Sequence, residues 1–358
     1  MKNFSVFNID VKDSAKVLFV TDAHMGAGYG TYKHFDKEGN VTENIDSFGR
    51  IEIMADRINR ESDFCHVDAV LCLGDMVSNE YNAEDKTEND ISSYADKYTG
   101  TRFSEREQFL IEVGKGRKDL YFVSDTRENP YFMRFVKDYM CKVKLPVFYC
   151  YANHDDIFDD EWEKLLGYGK NYIIHFGNIL SVIVADNYHE QQDSKTEQVW
   201  GYGGKATDIS EEFYEFVKEE IRERKNVILA SHFPEDEAMP LLSKLVREND
   251  NIICSMCGHT HGIKQGEFGG KPRFESGHFS YCDSWDKVDE KNAAENKGVW
   301  GFRYFDIGEK NIETYMVYPE VNYGLNEREE KQFYQKRFST KNTLHKGYVN
   351  LSDLIQKK

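Results

Sequence analysis

The chain is predicted to fold as layered α/β structure, and three observations carry that prediction. Short apolar runs rich in β-branched and aromatic residues recur at Val17–Val20, Ala69–Leu73, Val147–Tyr151, Ile179–Ala185, Val227–Ala230 and Ile252–Met256. Runs of this kind suit strands buried on both faces. Between several of them lie helical patterns. Phe48, Ile51, Met54, Ala55 and Ile58 share one face, as do Phe213, Phe216, Val217 and Ile221 with Ser210 as N-cap, and Tyr131, Phe135 and Tyr139 mark a third helix before Pro146. Beyond Gly262 the pattern changes to meander-like segments at 262–268, 271–275, 299–307 and 311–317, read as antiparallel strands that complete a second sheet.

No Gly/Ser linker and no internal repeat divides the 358 residues, so one large domain over 1–318 is expected, followed by a polar tail over 319–358. Long connections near 26–47, 78–129, 186–208 and 277–298 read as lid-like inserts. The tail carries a basic stretch, Lys331 to Lys346, which reads as a solvated or docked segment.

Lys and Arg total 46 against 63 Asp and Glu, a formal charge of −17. Such an acidic chain gains little from counterion release on a nucleic-acid backbone, so nucleic acid is a disfavoured partner. The 7 cysteines are odd in number and scattered, and read as reduced thiols of a cytoplasmic protein. The N-terminus alternates apolar and polar residues, with no unbroken apolar region of the signal-peptide kind. The strongly apolar run at 179–185 is far shorter than the ~20 residues of a membrane helix, so no membrane span is expected.

The chemistry sits where the apolar runs end. Val17–Val20 leads to Thr21-Asp22-Ala23-His24, Ala69–Leu73 to Gly74-Asp75, and Val147–Tyr151 to Ala152-Asn153-His154-Asp155. Val227–Ala230 leads to Ser231-His232, and Ile252–Met256 to Cys257-Gly258-His259-Thr260-His261. Ligands bind at the carboxyl ends of strands in layered α/β folds, so these termini are expected to converge on one crevice. Extended backbone points residues i and i+2 the same way, pairing Asp22 with His24 and His259 with His261. The donors Asp22, His24, Asp75, Asn153, His232, His259 and His261 mix nitrogen and oxygen without thiolate, which suits Mn, Fe or Zn better than Ca or Mg. They exceed the coordination capacity of one ion, so two divalent ions sharing a carboxylate is the economical reading.

The ordered set D-x-H, G-D, A-N-H-D, H and G-H-T-H resembles the calcineurin-like metallophosphoesterase superfamily, by motif over about 16–262 and by sheet pattern to about 318. The resemblance implies a four-layer α/β/β/α sandwich of two mixed sheets holding two metal ions. It implies Asp22, His24, Asp75 and His261 on one ion, and Asp75 as bridge with Asn153, His232 and His259 on the other. His154 is then the proton donor beside the substrate, Asp155 orients its ring, and a hydroxide shared by the ions attacks phosphorus. The family's usual glycine before Asn-His is Ala152 here. The arginines of the protein Ser/Thr phosphatase branch are missing from Gly74–Glu80 and Tyr151–Asp155. Ser78 stands where purple acid phosphatases place a tyrosine, and His24 is a histidine that branch lacks. What remains is the broad phosphodiesterase-like group, with a small phosphoester or nucleotide as substrate.

Two other readings share these residues: a nuclease acting on nucleic-acid ends, for which the basic tail speaks, and a non-catalytic metal-binding scaffold for a protein partner. Arg102, Arg127 and Arg273 are candidate phosphate contacts, and His278 and Trp285 candidates for the pocket border. Physiological substrate, native metals and oligomeric state are left open by the sequence.

Overall fold

The computed structural model describes residues 4–25, 32–35, 41–45, 51–59 except 53 and 57, 66–77, 81–82, 101–103, 120–122, 132, 134–155, 157, 159–189, 205–235, 239–260, 265–275, 302–308, 312–317 and 348–349. Residues 26–31, most of each long insert, Arg127, His278, Trp285 and the basic stretch lie outside the described residues.

Two mixed sheets stack on each other. The first contains β1 (Ser5–Ile9), β5 (Tyr172–Phe176), β6 (Leu180–Val184), β7 (Val227–Ala230), β8 (Ile252–Cys257), β9 (Gln265–Phe268) and β10 (Lys271–Glu275), in the order β1-β5-β6-β7-β8-β10-β9. The second contains β2 (Ser14–Val20), β3 (Ala69–Cys72), β4 (Val147–Tyr149), β11 (Phe302–Gly308), β12 (Ile312–Val317) and β13 (Tyr348–Val349), in the order β13-β12-β11-β2-β3-β4. Strands β2, β3 and β4 run parallel, as do β6, β7, β8 and β10.

Strand alternation explains the layering. Val17 and Phe19 of β2 join Leu71, Phe148, Ile174, Val182, Ile228, Met256 and Phe305 in one apolar cluster between the sheets. The Phe305 ring meets Phe19 at 5.3 Å and, across to the other sheet, Phe274 at 5.7 Å. The intervening Leu18, Val20, Val70, Ile173, Ile183 and Leu229 belong to a second cluster with helical residues. Those include Ile51, Met54 and Ile58, a wide π-helical turn Phe135–Tyr139, and helices α2 (Glu211–Ile221) and α3 (Pro240–Glu248). Helix α1 (Asp159–Leu166) adds Trp162, stacked on Phe132 at 5.2 Å. Two strand faces, one turned to the other sheet and one to helices, make the four-layer α/β/β/α sandwich.

Ser210 caps α2 by accepting from the Phe213 N–H at 3.1 Å, as its position predicts. The N-terminal N–H groups of Leu241 and Leu242 in α3 donate to the Asp208 carboxylate, reached from another loop.

The late segments differ from expectation. They do not build one antiparallel sheet: β9 and β10 extend the first sheet, with β10 parallel to β8, while β11 and β12 extend the second. The reason is β2, whose free edge pairs with β11 from Phe19↔Arg303 to Ser14↔Gly308. Strands β1 and β5 are additional to the predicted set. In the segment expected as tail, Tyr348 and Val349 pair with Glu313 and Ile312. Among the described residues, no helix is long and apolar enough to cross a membrane.

Candidate dinuclear metal centre

The predicted strand ends converge. Thr21–His24 follow β2, Gly74-Asp75 follow β3, Asn153–Asp155 follow β4, His232 follows β7 and Gly258-His259 follow β8. The loops are laced together by backbone bonds: Asp22 N to Gly74 O (3.0 Å) and His24 N to Asp75 O (2.9 Å) in the second sheet and, in the first, Gly258 N to His232 O (2.9 Å). Each such bond satisfies a peptide group that burial would otherwise leave without water.

The backbone at the donors is not extended. Among the described residues the non-glycine positive φ values are Asp22 (52°), His24 (44°), Asp75 (52°), His259 (65°) and His66 (54°). The first four are predicted metal ligands. The left-handed region costs an L-residue roughly 1–2 kcal/mol, and such strain persists where the surroundings over-determine it, commonly at functional sites. Asp22 and His24 therefore meet because two left-handed residues fold the chain back, not through the i, i+2 rule of a strand. Their side chains end 3.9 Å apart, His24 Nε2 to Asp22 Oδ1.

Asp75 lies at the centre. Its Oδ2 is 3.9 Å from His24 Nε2 and 3.2 Å from His232 Nε2, and its Oδ1 accepts from the His154 N–H at 2.9 Å. Donor atoms of His24, Asp75 and His154 lie within 4.8 Å of one another, and those of Asp75, His232 and His259 do likewise, so one carboxylate is common to both groups. Burial would raise the Asp75 pKa, but His232, His154 and His24 around it hold it well below the usual carboxylate range. Burial would lower that of His232, and the Asp75 carboxylate overrides this and lifts it to about 9. The His232 Nδ1 sits 2.7 Å from Leu73 O, which aims Nε2 at Asp75.

Two glycines let the loops approach. A Cβ on Gly74 (φ +93°) would lie 2.3 Å from the Ala152 Cβ and 2.8 Å from His232 Nδ1. The methyl of Ala152 thus makes the glycine before Asp75 indispensable. A Cβ on Gly258 would lie 2.0 Å from Thr21 Oγ1 and 2.7 Å from Asp22 Oδ2.

These residues fit a pair of cations. The Asn153 Oδ1 is buried and makes no hydrogen bond, an arrangement that costs about 1–3 kcal/mol unless another partner completes it. It belongs to the predicted oxygen donors. Asp22, His24, Asp75, Asn153, His154, Asp155 and His232 are all buried and His259 is half-buried. His261 lies outside the described residues.

Asp155 is placed differently from its expected role. Its Oδ1 accepts from the Met76 N–H at 2.9 Å and its Oδ2 makes no hydrogen bond, so the carboxylate holds the Asp75 turn and not the His154 ring. Burial and the neighbouring Asp75 both raise its pKa well above the carboxylate norm. The His154 ring instead stands edge-on to His24, 4.8 Å between centroids. Arg273, a candidate phosphate contact, donates to Glu235 O (3.1 Å) and Glu275 Oε1 (3.4 Å).

Sequence reasoning missed a supporting tier. Asn187, fully buried just after β6, gives its amide N–H to Phe233 O (2.8 Å) and accepts from Phe233 N (3.2 Å), fixing the residue next to His232. Phe233 in turn lies 4.1 Å from the His259 ring. Asn187 is a polar residue at a strand end, the same signal that marked the other loops. Glu235 carried no such signal.

Two stacked mixed sheets, with a carboxylate shared by two donor groups at the strand ends, define a metal-dependent hydrolase. The family model for calcineurin-like phosphoesterases matches residues 15–262. The chain belongs to that family and is a metal-dependent phosphoesterase. A dimetal phosphatase from Danio rerio superposes with a TM-score of 0.51 at 10% identity, over 86% of this chain and 97% of its own. GAP50, the anchor in the inner membrane complex of Plasmodium, superposes at 0.46 with 11% identity over 93% and 96%. At such identities the likeness is one of fold. None of the curated proteins matches the chain.

Proposed function

We propose that the chain hydrolyses a small phosphoester, a nucleotide or other diester or monoester, at a pair of divalent ions held by Asp22, His24, Asp75, Asn153, His232, His259 and His261. The observation that carries this reading is the Asp75 carboxylate, common to two groups of donor atoms. When bound, the ions supply Lewis-acid charge and an activated water. The mixed imidazole and carboxylate donors favour Mn, Fe or Zn. Asp75, kept ionised by its histidine neighbours, draws the two halves of the site together. His154 gives its proton to the leaving alkoxide oxygen, an assistance typically worth about 10²–10⁴-fold. Gly74 and Gly258 keep the loops close enough for donors from both sheets to meet. The acidic balance of −17 favours a small substrate over a nucleic-acid polymer, and the reduced thiols favour a cytoplasmic setting.

The test is metal analysis together with hydrolysis of aryl phosphomonoesters, aryl phosphodiesters and cyclic nucleotides, with Mn, Zn and Mg added separately. Asp75→Asn should lose metal and turnover together. His154→Asn should lose turnover and keep its metal. Equal metal loss in both variants would make His154 a ligand and end its assignment as proton donor. A wild-type chain that binds metal and hydrolyses nothing in the panel would favour the scaffold.

A further inference from the structure

Behind His259 lies a polar network that the chemistry above does not use. Glu275 ends β10 and stands abreast of Cys257, the last residue of β8. Its carboxylate is 4% exposed and accepts a hydrogen bond from the Thr260 hydroxyl through Oε2. Arg273 Nη2 reaches its Oε1 at 3.4 Å, and Arg303, fully buried, donates from Nη2 to its backbone oxygen at 3.4 Å. Arg303 is fastened further by Thr314 Oγ1 at 3.4 Å. Glu275, its carboxylate met by Arg273 of the same strand and its backbone oxygen by Arg303 of the other sheet, therefore grips the residue that sits between His259 and His261.

The grip falls where the backbone needs it. His259 is in the left-handed region at φ 65°. Its own N–H donates to Asp22 Oδ2 at 3.1 Å, and Thr260 N donates to Gly258 O at 2.7 Å. Those bonds tie the turn to its near side. A burial of charge this complete is costly unless the carboxylate is paired and hydrogen-bonded, and Glu275 spends one of its two oxygens on Thr260. Partners of this kind orient ligands, and losing one typically lowers metal affinity about 10–100-fold.

We propose that Glu275, acting through the Thr260 hydroxyl, is a positioning residue that sets the Gly258–Thr260 turn, and with it His259, for metal binding. The inference rests on the dinuclear reading above. The test is titration of chelator-treated full-length protein with Zn²⁺ or Mn²⁺ by calorimetry, in the wild type and in Glu275→Ala, Glu275→Gln, Thr260→Val and Thr260→Ser. Glu275→Ala and Thr260→Val should weaken binding of an ion by about 10–100-fold. Glu275→Gln keeps an acceptor and Thr260→Ser keeps the hydroxyl, so both should recover most of that loss. The thermal midpoint of each metal-free variant, measured alongside, separates positioning from folding: Thr260→Val should lose metal affinity while melting with the wild type. Wild-type affinity in Glu275→Ala, or equal damage in the conservative and the truncating variants, would overturn the proposal. A wild-type chain that takes up neither ion would overturn the dinuclear reading itself, and the proposal with it.

Discussion

Glu235 offers a quantitative test of the interior. Its carboxyl is 1% exposed and lies between two hydroxyls, Ser231 Oγ at 3.1 Å and Ser255 Oγ at 3.2 Å. Burial raises its pKa from 4.5 to about 7, against the opposing pull of the Ser231 and Ser255 bonds and of the Arg273 charge. The unfolded chain releases this proton near 4.5 and the folded chain only near 7. The folded state is thus favoured by proton retention below pH 4.5, and that advantage disappears as the pH rises through about 7. At ~1.4 kcal/mol per pH unit, the interval corresponds to roughly 3 kcal/mol. Glu235→Gln has nearly the same shape, bonds to the same hydroxyls and has no proton to lose. Its stability relative to wild type should therefore improve by roughly 3 kcal/mol between pH 4.5 and pH 8. Urea unfolding of both proteins across that range, with chelator present throughout, measures the difference and cancels titrations common to the two. A difference that stays flat with pH would show that the carboxyl is not buried as described, and the hydroxyl bracket around it would have to be abandoned.

Three further predictions follow from the packing. Gly258→Ala should destabilise by about 1–3 kcal/mol and lower metal content, with partial recovery when Thr21→Ala removes the hydroxyl that the new methyl would strike; melting curves and metal analysis of the single and double variants check this. Asn187→Ala leaves the buried Phe233 N–H without its partner and its C=O with the Ser231 hydroxyl alone of the two side-chain donors, so chemical denaturation should show a loss of about 1–3 kcal/mol, together with weaker metal retention. Ile174→Ala removes a side chain from between the sheets and should cost about 2–5 kcal/mol by denaturation, while metal stoichiometry at saturation stays unchanged.

Much of the site was legible in the sequence because its donors follow the strands immediately. A strand ends where its apolar run ends, so Asp22, Asp75, Asn153, His232 and His259 announce themselves by position, and buried strands are among the plainest signals a chain carries. The i, i+2 argument reached the right pairing of Asp22 with His24 through the wrong backbone. Side-chain type is written in the sequence, but a left-handed φ held by Gly74 O and Asp75 O depends on a neighbouring loop. Strand β5 went unseen because His175 interrupts its apolar pattern. Only the fold shows that its ring is satisfied by Ser181 Oγ and Glu220 Oε1, both at 2.8 Å. Strand β1, alternating and at the edge of its sheet, is defined by pairing with β5.

The sequence by itself determined the class of fold, the kinds of donor atoms that gather at the strand ends and the family to which the chain belongs, since each is set by residue type and local order. The tertiary structure decided which groups support those atoms. Asn187 grips a residue 46 positions away, Asp155 one 79 positions away and Glu275 one 15 positions away. Hydrogen bonds over such separations leave no periodicity in the chain, because the partners are brought together only when strands distant in sequence have paired side by side.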